Sequence, residues 1–245
     1  MFKKSIALLK EIYKIEKLKL ELSTKLPASK IDFFLTKFKE ISNNVECPHN
    51  PSHILTFVSQ IFTLPKNIEG CIVEAGCFKG GSTAKFSLIA SYLDRELIIF
   101  DSFEGLPENQ EEHKKTIHGL SVEGWFQGKE FSGSLEEVKH NVKKYGDISC
   151  CTFIKGWFDH TMSNFNNKIC AAYLDVDLAS STKTCIQYLY PKIVPGGVLV
   201  SQDGDFPLVI DVFDDENFWI ESVGYKKPKI LGLHKEKMLV VRKEV

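Results

Sequence analysis

"IVEAGCFKGGSTAKF", residues 72–86, decides how this chain is read. Its apolar lead-in closes on Glu74, and glycines follow at positions 76, 80 and 81. Ser82, Thr83 and Ala84 then suit the first turn of a helix. The stretch therefore reads as strand, turn and helix. In open parallel sheets, ligands sit at the carboxyl ends of the strands. Glycine there lets backbone come close to a ligand. A phosphate loop needs G-x-x-x-x-G-K-[ST]. Gly76 and Gly81 have that spacing, but Ser82 stands where the lysine belongs. A dinucleotide turn needs G-x-G-x-x-G, and position 78 is Phe. The remaining pattern, Glu74-x-Gly76-x-x-x-Gly80, suits a ligand with an ammonium or sulfonium group that an acid can orient.

The segments downstream keep alternating between strand and helix. "ELIIFD", "CCTFIKG", "AAYLDVD" and "GGVLVSQD" read as strands. "SLEEVKHNVKKYG" reads as a helix with a serine N-cap and a glycine stop. "SSTKTCIQYLYPKI" and "PLVIDVFDDENFW" are further helices, and "PKILGLHKEKMLVVRK" is a closing hairpin. This alternation predicts an α/β fold: a mostly parallel seven-stranded sheet covered on both faces, with an antiparallel C-terminal hairpin at its edge. The second strand ends in Asp101, an acid suited to a ribose diol by the logic of dinucleotide folds. A ribose and an amino-acid ammonium without phosphate point to S-adenosylmethionine.

Upstream, the chain has a different character. Residues 1–45 are rich in lysine and lack glycine, with Leu9, Ile12, Ile15 and Leu22 near helical spacing and a break at Pro27. Two domains are expected: an N-terminal helical segment, 1–50, acting as a lid or homodimer contact, and a Rossmann-like domain, 51–245. The formal net charge of −1 argues against an electrostatic nucleic-acid binder. No apolar run reaches bilayer length, and no cleavage-site pattern follows the charged N-terminus. The seven scattered cysteines lack C-x-x-C spacing and read as reduced thiols of a cytoplasmic protein.

"EAGCFKGGS", "DSFEGLPE", "SGSLEEVKHNVKKYG", "KGWFDHT" and "LDVDLASSTKTCIQYLYPKIVPGGVLVSQD" occur in this order. Together they resemble the macrocin O-methyltransferase family, metal-dependent sugar methyltransferases of macrolide and aminocoumarin biosynthesis. The resemblance runs over roughly residues 70–215. It implies a class I, S-adenosylmethionine-dependent methyltransferase fold. It implies cofactor contacts from Glu74, Gly76, Phe78, Lys79, Gly80 and Ser82, a ribose site at Asp101 and Ser102, and an adenine contact at Gly156 and Trp157. It also implies Mg²⁺ on Asp175 and on an Asp-Asp pair at 202–203, with Asp175 as general base. The chain departs from that pattern, because position 202 is Gln. Gln202 and Asp203 are thus the expected second pair of metal ligands, the first lacking a charge.

The chemistry fits these residue types. A sugar hydroxyl is a poor nucleophile, and its methylation needs in-line placement and proton removal. Mg²⁺ prefers hard oxygen ligands such as the carboxylates at the ends of the fourth and fifth strands, where Asp177 and Asp205 stand in reserve. The expected acceptor is a small molecule or glycan, with a small phenol as a variant. Two other readings stay open: a nicotinamide-dependent oxidoreductase, and a non-catalytic S-adenosylmethionine-binding relative with a degraded metal site. His113, His118, His160 and His234 are further candidate bases. The long segment 107–133 reads as a lid carrying Trp125 and Phe126.

Overall fold

The computed structural model describes residues 2–126 and 131–244. Strands β1 (Cys71–Ala75), β2 (Leu97–Asp101), β3 (Cys151–Lys155), β4 (Ile169–Leu174) and β5 (Ile193–Ser201) are parallel. β6 (Ile230–Leu231) and β7 (Leu239–Arg242) complete the sheet in the order β3-β2-β1-β4-β5-β7-β6. The closing hairpin is present, but its second strand pairs with β5 and its first forms the outer edge. β1 and β4 bury every residue, which is why β4 reads as an unbroken apolar run and β1 as one interrupted only by Glu74. Edge strand β3 is only half-buried.

Helices α1 (Phe2–Ser23), α2 (Ala28–Asn44), α3 (Pro51–Phe62), α4 (Gly81–Tyr92) and α5 (Leu135–Tyr145) lie to one side of the sheet. α6 (Phe158–Met162), α7 (Ala179–Leu189) and α8 (Pro207–Asp214) cover the other. The N-terminal segment shares the first core: Leu22, Ile31, Phe34, Phe38 and Ile41 are buried with Ile72, Phe86 and Tyr173. α1 leaves Leu9, Tyr13 and Leu20 exposed on its outer side.

Two ends carry physical detail beyond the sequence pattern. Ser134 caps α5 by accepting from the Glu137 N–H, with Glu136 and Glu137 in the first turn and Lys143 and Lys144 in the last. Gly146 does stop α5, but with extended backbone, not a left-handed turn. A Cβ there would meet Ser87 Oγ at 2.4 Å, so close packing on α4 is what demands glycine. The helix expected from Pro207 to Trp219 breaks at Asp215, whose Oδ1 accepts from the Asn217 and Phe218 N–H groups and starts a separate wide turn, Phe218–Val223.

Candidate functional site

The site is built on one glycine. β1 ends at Ala75, and Gly76 follows with φ +82°. A Cβ on Gly76 would stand 2.0 Å from the Asp175 carbonyl oxygen. The close approach that requires this glycine is thus to the chain beyond β4. The Asp175 N–H donates to the Ala75 carbonyl at 3.0 Å, which seals the two strand ends together. Phe78 sits at φ +48° and Gly80 at φ +82° before α4 begins.

Asp101 holds the neighbouring turns. Its Oδ2 accepts from the Cys77 N–H at 2.7 Å, and its Oδ1 accepts from the Phe103 N–H at the same distance. Burial raises its pKa, and these N–H groups oppose the rise. The Asp101 carbonyl accepts from the Gly156 N–H at 2.9 Å. Ser102 Oγ donates to the Gly105 carbonyl and accepts from the Glu104 N–H, closing the turn after β2.

These turns open on a cavity of about 360 Å³. Gly76, Phe78, Ser82, Asp101, Ser102, Gly156 and Trp157 line it, as do Asp175, Gln202 and Asp203. Glu74, Lys79 and Gly80 are not among its lining residues. Glu74 is fully buried beneath the turn, and neither carboxylate oxygen has a hydrogen-bond partner. Burial pushes its pKa up to about 8, and the Ser82 and Thr83 hydroxyls nearby oppose this without closing a hydrogen bond. Lys79 turns away to Glu46, and Gly80 packs on Val138.

The second half of the site is acidic. β4 stops at Leu174 and β5 at Ser201, so the acids expected on strand ends occupy the loops just beyond. Asp177 adopts φ +59°, and oxygens of Asp175, Asp177 and Asp203 lie within 4.8 Å of one another. Asp203 Oδ2 accepts from the Val176 and Asp177 N–H groups at 3.0 and 3.1 Å. Burial first, then the Asp175 charge, raise the Asp203 pKa to about 7, against the pull of Lys237 and those N–H groups. Asp177 is pushed well above the carboxylate range by burial and by Asp203 and Asp175. Lys237 donates to Asp205 at 2.9 Å; Asp203 and Asp205 raise its pKa despite burial.

Sequence reasoning missed two histidines. His49 Nε2 lies 2.6 Å from Asp175 Oδ2, and its Nδ1 lies 2.9 Å from Gln202 Nε2. His53, on the first turn of α3, has its Nδ1 3.3 Å from the same nitrogen. Burial works against a charge on His49, but Asp175 outweighs it and raises the pKa. Burial and Lys237 lower His53 to about 4. The one available signal was H-x-x-x-H around Pro51, two histidines flanking the start of α3. Of the histidines singled out earlier, His118, His160 and His234 are exposed. His113 is buried against Phe126 and Phe206 and contacts Glu111.

Part of the long segment, residues 127–130, lies outside the described residues. The described part is tied down by Glu111, whose carboxylate accepts from the Ala179 and Ser180 N–H groups that open α7. Burial opposes this charge, but His113 and those two N–H groups hold Glu111 down at about 2. Phe126 is buried and Trp125 exposed, and both line the cavity.

The family model described as macrocin-O-methyltransferase matches residues 53–215, which is the sheet from β1 to β5 with both halves of this site. The chain belongs to that family. Among curated relatives, it is 29% identical over 149 residues to the 8-demethyl-8-(2,3-dimethoxy-alpha-L-rhamnosyl)-tetracenomycin-C 4'-O-methyltransferase of Streptomyces olivaceus, over 57% of this chain and 55% of that protein. It is 24% identical to the mycinamicin III 3''-O-methyltransferase of Micromonospora griseorubida, over 59% of each chain. The chain thus spans little more than half the length of the curated relatives it matches. The solved structure of the O-methyltransferase NovP superposes with a TM-score of 0.61 at 22% identity over 78% of each chain, a likeness of fold. Membership in this family leaves the oxidoreductase reading without support. Phe78, at the place of the middle glycine, agrees. Among the described residues, no helix is long and apolar enough to cross a membrane.

Proposed function

We propose that this protein is an S-adenosylmethionine-dependent O-methyltransferase acting on a sugar hydroxyl of a small molecule or glycan. The observation that carries the reading is the meeting of Asp101, on the ribose side, with Asp175, on the acid side, around one cavity through the Gly76 contact. Gly76, Phe78, Ser82, Asp101, Ser102, Gly156 and Trp157 would hold the cofactor, which when bound supplies the sulfonium methyl. Both Asp101 oxygens keep a lone pair beyond the backbone N–H each accepts, so a ribose diol has acceptors in place. Glu74 would act from beneath the turn, and Lys79 and Gly80 would shape it.

The donor set fits a hard divalent cation: three carboxylates converge, and each retains an oxygen not engaged by backbone. Asp175, Asp177 and Asp203 would hold Mg²⁺, which when bound supplies charge neutralisation and a lowered pKa for an acceptor hydroxyl. Asp177 takes the place that the family pattern gives to position 202. Asp175 accepts the hydroxyl proton, and His49 holds one of its oxygens. Trp125, Phe126 and Trp157 offer the apolar walls that a sugar face packs against and that exclude water.

Titration of the protein with S-adenosylhomocysteine by calorimetry, with and without Mg²⁺, tests this beside Asp101→Ala. Removal of a charged acceptor costs about 1.5–3 kcal/mol, so the variant should bind at least roughly tenfold more weakly. Absence of binding in every condition refutes the reading. Binding without turnover on any sugar acceptor would turn it into the non-catalytic one.

A further inference from the structure

Gln202 lies in the wall of the cavity beside the acidic cluster, and its surroundings define its task. The side chain is buried, with 3% exposure. Its Oε1 accepts from the Tyr173 hydroxyl at 3.3 Å. Its Nε2 carries two hydrogens, and two ring nitrogens face it: His49 Nδ1 at 2.9 Å and His53 Nδ1 at 3.3 Å. The other nitrogen of His49 meets Asp175 Oδ2 at 2.6 Å, a separation that requires a hydrogen between them. With that hydrogen on Nε2, Nδ1 is the ring nitrogen left to face the Gln202 amide. Aspartate at 202 would offer no donor to that nitrogen. It is also one methylene shorter.

We infer that Gln202 is a positioning residue: it bridges Tyr173 to His49 and, through the His49 Nε2–H, fixes the Asp175 carboxylate, instead of ligating metal. The chain Tyr173–Gln202–His49–Asp175 links the middle of the sheet to the proposed base. It is a hydrogen-bonded strut and adds no charge. The strut stands on its own geometry; only the description of Asp175 as the base rests on the methyltransferase reading. His49 enters from the segment between α2 and α3, and residues 46–50 of that segment line the cavity.

The experiment uses the full chain. A buried imidazole N–H bonded to a carboxylate gives a slowly exchanging, strongly downfield proton signal, assigned to His49 by its disappearance in His49→Asn. Gln202→Met should broaden or remove that signal, since the ring loses its second anchor. Tyr173→Phe, which deletes a single hydroxyl, should shift it and serves as the second probe if Gln202→Met folds poorly. In parallel, calorimetric titration with Mn²⁺ should find the affinity of Gln202→Met within about threefold of the parent, whereas Asp203→Asn should lose at least tenfold. An unchanged His49 signal in both variants overturns the inference, and so does a tenfold loss of Mn²⁺ affinity in Gln202→Met. The S-adenosylhomocysteine titration is independent of these readings. Its failure beside an intact His49 signal would refute the methyltransferase reading and leave the strut standing.

Discussion

Gly76→Ala should damage this protein more than its chemistry suggests, because the glycine sits where two strand ends nearly touch. A left-handed φ of +82° costs an alanine about 1–2 kcal/mol. The new Cβ would also stand 2.0 Å from the Asp175 carbonyl oxygen, a main-chain atom with little room to move. Overpacking of this kind typically costs about 1–3 kcal/mol. Relief by separation of the strand ends would stretch the 3.0 Å bond from the Asp175 N–H to the Ala75 carbonyl, worth about 1 kcal/mol. A total of about 3 kcal/mol is expected, equivalent to a Tm drop of roughly 6–12 °C for a chain of this size. Gly224→Ala is the internal control. Gly224 has the same φ of +82°, but nothing lies within 4 Å of its added Cβ. Denaturant unfolding of the two variants, followed by circular dichroism, isolates the steric part. A difference between them below about 1 kcal/mol would refute the claim that the Asp175 contact is what requires glycine.

Glu74 makes the stability depend on pH. Its folded pKa of about 8 lies above the ordinary 4.5, so the folded chain keeps a proton that the unfolded chain releases. Stability should therefore fall as pH climbs from 4.5 towards 8, and Glu74→Gln should flatten that slope in a series of thermal melts; parallel slopes would contradict it. Glu111→Ala should remove the acceptor for the two N–H groups opening α7, at a cost of about 1–2 kcal/mol. Limited proteolysis should then cut within residues 107–126 faster than in the parent, and an unchanged rate would show that this segment is held by other contacts.

The sheet was legible because its central strands are buried on both faces, which leaves unbroken apolar runs such as Ile169–Leu174 in the sequence. Ser134 announced α5 for an equally local reason, a side chain bonding three residues ahead. Asp101 and Asp175 were legible because position at a strand end already fixes the edge of the sheet. What could not be read is what depends on separate loops arriving at one place. Gln202 and His49 are 153 residues apart in sequence, and no spacing rule joins them. The same holds for Asp177, whose approach to Asp175 and Asp203 depends on a left-handed residue in a loop that alternation reads as strand. Glu74 shows a different limit: its motif cannot tell that the residue belongs to a fully buried strand and is not among those lining the cavity.

An uncharged residue at position 202 suits the charge already present. Asp101, Asp175, Asp177, Asp203 and Asp205 all line one cavity, with Lys237 as the ammonium among them. Burial already pushes Asp203 to about 7 and Asp177 well above its ordinary range, each raised further by its acidic neighbours. One more carboxylate at 202, beside the buried Tyr173 and within reach of the same group, would raise these values again or demand another cation. Glutamine avoids that cost and still satisfies a buried hydroxyl and two imidazole nitrogens, which an apolar residue would leave unpaired. On this view, the pair of histidines after α2 and the uncharged residue after β5 act as one unit. His49 gives Asp175 a fixed partner, and Gln202 gives His49 its orientation without adding to a charge that the site already strains to hold.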